Sequence, residues 1–400
     1  MRCLLLIAVV AAWACGACGS DKAAPTPIRF LHTFSPAETE LFNAITVEQG
    51  LPVEAKLAPF ARGQQVIGEM LRAGTNCPDL IRIDATWLPG LAAAHLLAPV
   101  PADIAGGDWL PEAMTSDVAL PDSIDGLVVV RDAAAPAPTS SSVTDLVAAA
   151  RAAKHEERKY PLGLRVDGYW FIPWLRAHGG ELEPGEHGLG AAGSAEATQA
   201  LAEFGHLFGD VAAPPPPSGE EAPEELRLWS SHDVAYWVTG PWQIGALRDR
   251  DRLVISALAG APRGGQLLVV PKCARDPAAG WKLARLLTSI EVSTRFAQAF
   301  ATVPTRKAAL AAAPPLVQQI YAALQTARPL PRDPITPLLF DDLNPALAAV
   351  VARDATAEEA IEGVRRGWQR LEKQSNSPAE GSAAGATKPP EGSATGEAPR

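Results

Sequence analysis

Few residues in this chain have the spacing of a catalytic or cofactor-binding motif. Residues 188–193, GLGAAG, match G-x-G-x-x-G. That motif cradles a pyrophosphate only at a strand-to-helix turn, and here a polar loop precedes it, so the match is a chance one. There is no GxxxxGK[ST] loop, no G-x-S-x-G elbow and no H-E-x-x-H helix. The seven histidines are scattered without ligand spacing, so no metal site and no cofactor are expected. Carboxylates are plentiful, but no pair is singled out as acid and base. Cys15 and Cys18 have the spacing of a redox CxxC pair but lie within an N-terminal processing signal. What stands out instead is SSHDVAYWVTGPWQIGAL (230–247), which sets Tyr236, Trp237 and Trp242 around a Thr-Gly-Pro breakpoint. Large aromatics ordinarily fill cores. Two tryptophans at a breakpoint raise the question of what they face.

The elements that must position these residues alternate. Strands are expected at 28–31, 53–57, 79–83, 127–130, 161–164, 253–257 and 266–270, with helices at 37–46 and 64–71 between the early ones. Alternation of this kind means an α/β protein with mainly parallel sheets. Asp276-Pro277 supplies an N-cap and a proline at the first helical position for a helix running to about Phe300. Thr356 to Glu359 has capping-box spacing. Behind it Ile361, Val364, Trp368 and Leu371 share a face. Trp281 and Trp368 are therefore expected in the core. The runs 131–142 and 212–225 read as loops, and no internal repeat is visible.

Length and charge narrow the class. Four hundred residues suggest two or three domains. A net charge of -10 argues against a nucleic-acid partner. At the N-terminus Met1-Arg2 precedes an apolar run, Leu4 to Ala12, about half the length of a membrane span. The following AWACGACGSDK is similar to a bacterial lipobox, which implies a lipidated Cys18, with Cys15 as the alternative. Residues 1–18 are then a signal peptide and 19–27 a tether. From 375 to 400 the chain is mostly Ser, Gly, Ala, Glu, Pro and Thr without apolar period, the composition of a disordered tail.

Six segments, in order, resemble the extracellular solute-binding proteins of ABC sugar importers, of the maltose/trehalose/maltodextrin type. They are CPDLIRIDATWLPGLAAAHLLAPV (77–100), ALPDSIDGLVVVRD (119–132), YWFIPWLRAHGGEL (169–182), the Trp242 segment, RGGQLLVVPKCARDPAAGWKLARLL (263–287), and the closing run from Thr326 through ATAEEAI. The resemblance covers about Ile28 to Leu371. It implies a type II periplasmic-binding-protein fold with a ligand cleft between two hinged lobes. The N-terminal lobe would comprise 28–123 and 259–308, and the C-terminal lobe 124–258 and 309–374. In such a fold the return strand lies antiparallel beside the third strand, which implies a Cys77–Cys273 disulfide.

The resemblance also implies roles. A sugar ring has an apolar C–H face and a rim of hydroxyls, so it needs a flat aromatic and acceptors of hydrogen bonds. Trp242 would stack on the sugar, presented by the Gly240-Pro241 turn, while Trp237 belongs to the core. Asp125 and Asp84 would accept hydroxyl protons. Trp87, Tyr169 and the neighbouring Trp170 would line the cleft. His32, with Thr33, would line its rim, and Phe340 would offer a second stacking face. Gly264-Gly265 would allow close backbone approach or hinge motion. The chain departs from the family pattern in two places: Val-Val-Val-Arg follows Asp125 where paired tyrosines are usual, and the Tyr-Gly pair ahead of Pro121 is missing. The implied protein is a monomeric, lipid-anchored receptor outside the cytoplasm, delivering a sugar to ABC permease subunits and performing no catalysis. Alternatives are the same fold holding a peptide, anion, polyamine or metal, a sensor or scaffold with a degenerate cleft, and an enzyme. Only four tyrosines are present, which argues against iron.

Overall fold

A computed structural model describes residues 26–376 apart from 59, 61–62, 184–192, 216–223 and 248–249. The signal and lipobox with Cys18 and Cys15, most of the GLGAAG run and the chain beyond 376 lie outside the described residues. The helix 357–376 continues just past the position where a tail is expected to start.

Among the described residues eleven strands form two sheets. The first contains β1 (Ile28–His32), β2 (Val53–Leu57), β3 (Leu80–Asp84), β4 (Leu120–Gly126), β9 (Pro262–Val269), β10 (Val303–Pro304) and β11 (Arg328–Pro329). Its order is β10-β4-β9-β3-β1-β2, with β11 beside β9. The second contains β5 (Val128–Asp132), β6 (Leu162–Gly163), β7 (Tyr236–Thr239) and β8 (Leu253–Ser256), in the order β6-β7-β5-β8. Each sheet is covered by helices, giving two α/β lobes. The sheets are mixed rather than mainly parallel. β1 pairs in parallel with β2 and β3, as helical crossovers require, but β9 is antiparallel to both β3 and β4. β5 is likewise antiparallel to β7 and β8. The cause is the chain's double passage between lobes: it leaves through β4 into β5 and returns through β8 into β9, so the returning strands run against the outgoing ones.

The two faces of the first sheet are buried under different cores. Phe30, Phe42, Ile45, Leu80, Leu268, Trp281 and Phe296 pack on one side, and Ile67, Leu71, Ile81, Ile83, Trp87 and Leu267 on the other. Strand alternation sorts neighbours such as Leu80 and Ile81 onto opposite faces. A larger core surrounds the second sheet and takes in Trp237 and Trp368. Trp237, Trp281 and Trp368 are thus buried as expected. The single helix expected from 277 to 300 is two, Pro277–Leu287 and Ile290–Phe300. Ser289 breaks it by capping a new start, its hydroxyl accepting from Val292 N. The Thr356–Glu359 capping box is present in both directions.

Cys77 and Cys273 are disulfide-bonded, with Cα atoms 5.8 Å apart. The β3–β9 register pairs Ile81 with Val269 and Asp84 with Gln266. Continued outward, it sets residue 77 opposite 273. The buried Asp79 carboxylate lies beside this end, accepting from the backbone N–H groups of Arg29 and Asp276 and facing the guanidinium groups of Arg275 and Arg29. Burial works to raise its pKa, but these donors and cations together hold it below the ordinary carboxylate value.

Where the chain returns to the first sheet, a buried arginine organises it. Arg176, from the helix Gly168–Ala177, donates to the carbonyls of Gly260, Ala261, Arg328 and Pro329 and is paired with Glu181. Glu181 is also 3.6 Å from Arg328. One guanidinium thus ties the backbone of two connecting segments to a helix of the second lobe.

Candidate functional site

Three neighbouring strands of the first sheet change character at the same end. On one face β3 reads Leu80, Arg82, Asp84, and β9 read backwards gives Val270, Leu268, Gln266, Gly264. The register sets Asp84 and Ser123 on either side of Gln266, and Asp125 opposite Gly264. The apolar core of this face therefore gives way to a polar floor away from the disulfide. Asp122 is the extra residue of a β-bulge in β4, where the register shifts between Pro121 and Ser123. The bulge frees its carboxylate to meet Arg82, Nε to Oδ2 at 2.6 Å. Arg82 also donates to Thr33 Oγ1 at 2.8 Å and lies 4.5 Å over the Phe34 ring.

Asp84 ends β3 and caps the short 3-10 turn Ala85–Trp87. Its Oδ1 accepts from Thr86 N and Oγ1, and its Oδ2 from Gln266 Nε2 at 3.3 Å. Burial, only partly offset by these donors, raises its pKa. Asp125 is pushed up to about 7, first by burial and then by the Asp84 charge, against the opposing pull of Arg82 and Gln266. Gly264 leaves room at this point: a Cβ there would lie 3.2 Å from Asp125 Oδ1 and 3.9 Å from the Tyr169 hydroxyl. At Gly265 a Cβ would collide with Ser123 O at 2.1 Å, so the glycine pair permits close strand approach.

The second lobe supplies the aromatic wall. Asp167 caps the helix that begins at Gly168 and so fixes Tyr169. The half-buried Tyr169 reaches 3.5 Å from Pro262 O with its hydroxyl. Burial and the neighbouring Asp125 and Asp84 charges hold that hydroxyl well above its ordinary pKa. Trp242 stands edge-on to Tyr169 and Trp170, with ring centroids 6.4 and 6.1 Å away. It is 43% exposed, unusual for a tryptophan braced by two other rings. Gly240 caps the helix Pro241–Ile244, and a Cβ on it would lie 2.1 Å from the Trp242 ring. The absence of a side chain at Gly240 is what lets the indole fold back over it. Phe340 is half-buried on the other side of Gly168, where an added Cβ would touch its ring at 2.6 Å.

Asp84, Asp125, Tyr169 and Trp242 form one contiguous cluster between the lobes, with Phe340 at its margin. The other expected residues sit elsewhere. His32 is 2% exposed and packs among Phe30, Phe34 and Phe42, its Nδ1 accepting from Phe34 N. It is a core residue rather than part of a rim, and burial first, with Arg82 second, lowers its pKa to about 4. Strand alternation turns it inward while Thr33 faces Gln266. Trp87 is buried over Gly63 and against Phe60, so it offers no open face. Trp170 is buried behind Trp242, donating from Nε1 to Val238 O at 2.8 Å. It braces the wall instead of lining it. Gln266, Arg82 and Asp122 were not anticipated. The signal was there: a charge inside the apolar strand LIRID and an amide inside GGQLLVV.

Two lobes joined by short crossings, with aromatics from one meeting carboxylates of the other, are the plan of a hinged binding protein. The family model for bacterial extracellular solute-binding proteins matches residues 40–323, and the chain belongs to that family. A search of curated protein sequences finds no match. Among solved structures, the GacH receptor of Streptomyces glaucescens, described unliganded and with acarbose, superposes with TM-score 0.73 at 22% identity, covering 87% of this chain and 98% of that one. Maltose-bound MalE3 of T. maritima gives 0.73 at 21% identity, covering 86% and 99%. Lmo0181 from Listeria monocytogenes, in complex with cycloalternan, gives 0.74 at 18% identity, covering 87% and 99%. At these identities the likeness is one of fold. Among the described residues no helix is long and apolar enough to cross a membrane.

Proposed function

We propose that this chain captures a di- or oligosaccharide outside the cytoplasm and delivers it to an ABC importer, without catalysis. The observation that carries the reading is the half-exposed Trp242 ring, braced by Tyr169 and Trp170 and contiguous with the Asp84–Asp125 floor. A flat apolar face beside ionisable acceptors suits the two surfaces of a sugar. The sugars named for GacH, MalE3 and Lmo0181 support the same class. In this reading the lobes that close on the ligand are 28–123 with 259–308, to which the first sheet adds 124–126 and 328–329, and the remainder of 124–258 with 309–374. Lipidation at Cys18 holds the monomer at the membrane, where it meets the permease subunits.

The test is a thermal-shift screen of residues 21–374 against a saccharide panel, since a ligand that binds the folded state alone raises Tm with concentration. A shift with one saccharide is expected, and Trp242→Ala should weaken that binding by at least thirtyfold, about 2 kcal/mol for a central aromatic anchor. A well-folded protein that shifts with no saccharide would overturn the reading. Gly240→Ala probes the same wall. Trp242 is free on its solvent side, so it is expected to swing away at a stability cost below about 1 kcal/mol. Calorimetric titration should then show weaker saccharide binding with the melting curve nearly unchanged.

A further inference from the structure

The Gln266 side chain is held from both ends. Its Oε1 accepts from Thr33 Oγ1 at 3.0 Å and faces Arg82 Nη1 at 3.4 Å, while its Nε2 donates to Asp84 Oδ2 at 3.3 Å. Amide orientation is ordinarily ambiguous, but arginine can only donate and a carboxylate accepts, so this environment permits one orientation. Arg82 cannot turn away, because Asp122 fixes its Nε and Phe34 lies beneath it. The bulge at Asp122, the Arg82 guanidinium and the Thr33 hydroxyl therefore converge on one amide, whose NH2 end points at the carboxylates. Asp84 has both oxygens engaged, Oδ1 by Thr86 and Oδ2 by Gln266. Asp125 stands on the same face of the sheet, opposite Gly264, the next β9 residue on that face, where the Gln266 amide works to lower its pKa.

We infer that Gln266 is a positioning residue of this site: its locked amide aims N–H donors at the Asp84–Asp125 pair and so holds both as hydrogen-bond acceptors for ligand hydroxyls. The inference rests on the saccharide-binding reading for its last clause only. The charged and titratable groups acting on the pair are Arg82 from β3 and Tyr169 from the helix at 168–177; Asp122 from β4 meets Arg82, and Asp167, the cap of that helix, acts on Tyr169. Among these groups Arg82 is the cation, and it is already paired with Asp122. Arg82 is the first of the groups that favour ionised Asp125, ahead of Gln266, whereas Asp84 is favoured first by Thr86 and then by Gln266; Gln266 is the neutral donor that acts on both.

The test compares wild type with Gln266→Glu and Gln266→Met. Glutamate keeps an oxygen for Arg82 and Thr33 but removes the N–H donors and adds a charge; methionine removes the donors without the charge. Carboxyl carbon NMR of the unliganded protein reads the Asp84 and Asp125 titrations directly. Both variants should move the Asp125 midpoint upward, by about one pH unit in Gln266→Met and by more in Gln266→Glu. Affinity for the saccharide found in the panel should fall about fivefold at pH 7 in Gln266→Met, the drop in ionised fraction when a midpoint near 7 moves up by one pH unit, and recover as pH is raised. Unmoved midpoints in folded variants would overturn the inference, as would an affinity loss equal at every pH. The titration needs no ligand, so it stands or falls separately from the saccharide screen.

Discussion

Loss of the Cys77–Cys273 bond is expected to lower the unfolding free energy by about 2–5 kcal/mol and to leave ligand affinity unchanged. The bond joins residues 196 apart in sequence, and the conformational freedom it removes from the unfolded chain grows with the length of the closed loop. Affinity is spared for a geometric reason. β3 and β9 are antiparallel neighbours, and the bond clamps one end of the pair while Asp84 and Gln266 occupy the other. Both strands belong to the same sheet, so the bond does not restrain one lobe against the other. Urea unfolding of the Cys77→Ser/Cys273→Ser variant and of reduced wild type, alongside saccharide titration, checks both halves. Equal stability with and without the bond would contradict the first half, and a changed affinity the second.

Replacing Asp125 with asparagine should stabilise the protein at alkaline pH while weakening ligand binding. The Asp125 carboxyl is raised to about 7 in the fold, chiefly by burial, against about 3.9 in an unfolded chain. Between those values the folded state retains a proton that the unfolded state has released. Stability from this group therefore declines as pH rises from about 4 towards 7, and the full cost stands above 7. Asparagine does not titrate, so the variant should gain about 2–4 kcal/mol over wild type at pH 8 and nothing below about pH 4. Denaturant melts across that range measure the difference. A pH-independent difference would show that Asp125 is not the strained group. A stabilising substitution that costs binding is the pattern expected where a site holds its groups in an unfavourable environment.

The sequence made the architecture legible because the α/β alternation and six ordered segments agree with one fold. The disulfide was implied by the resemblance, through the antiparallel pairing of its third and return strands, and is present. The Trp242 role was implied by the resemblance; the structure adds a local cause for the glycine before it, a ring folded back where a Cβ would lie. His32 and Trp87 were misplaced because adjacency to a strand end does not say which way a side chain turns; alternation and the packing of Phe34 and Gly63 decide that. Gln266 escaped notice because its role depends on three strands meeting in register and on a one-residue bulge at Asp122. None of this has a local spacing. The mixed sheets were missed for the same reason: strand direction is set by the two passages between lobes, not by the alternation of elements.

The position of β9 bears on how the chain acquires its shape. β9 lies between β3 and β4 in the first sheet, yet it follows the whole second sheet, β5 to β8, in sequence. As the polypeptide emerges, residues up to 126 can offer β3 and β4 only as strands that each lack their shared neighbour. Closing that gap waits until the whole second sheet has been made, and Cys77 waits with it for its partner. A strand inserted so late carries a large loop-closure penalty and predicts slow folding, with the facing edges of β3 and β4 unpaired in the interim.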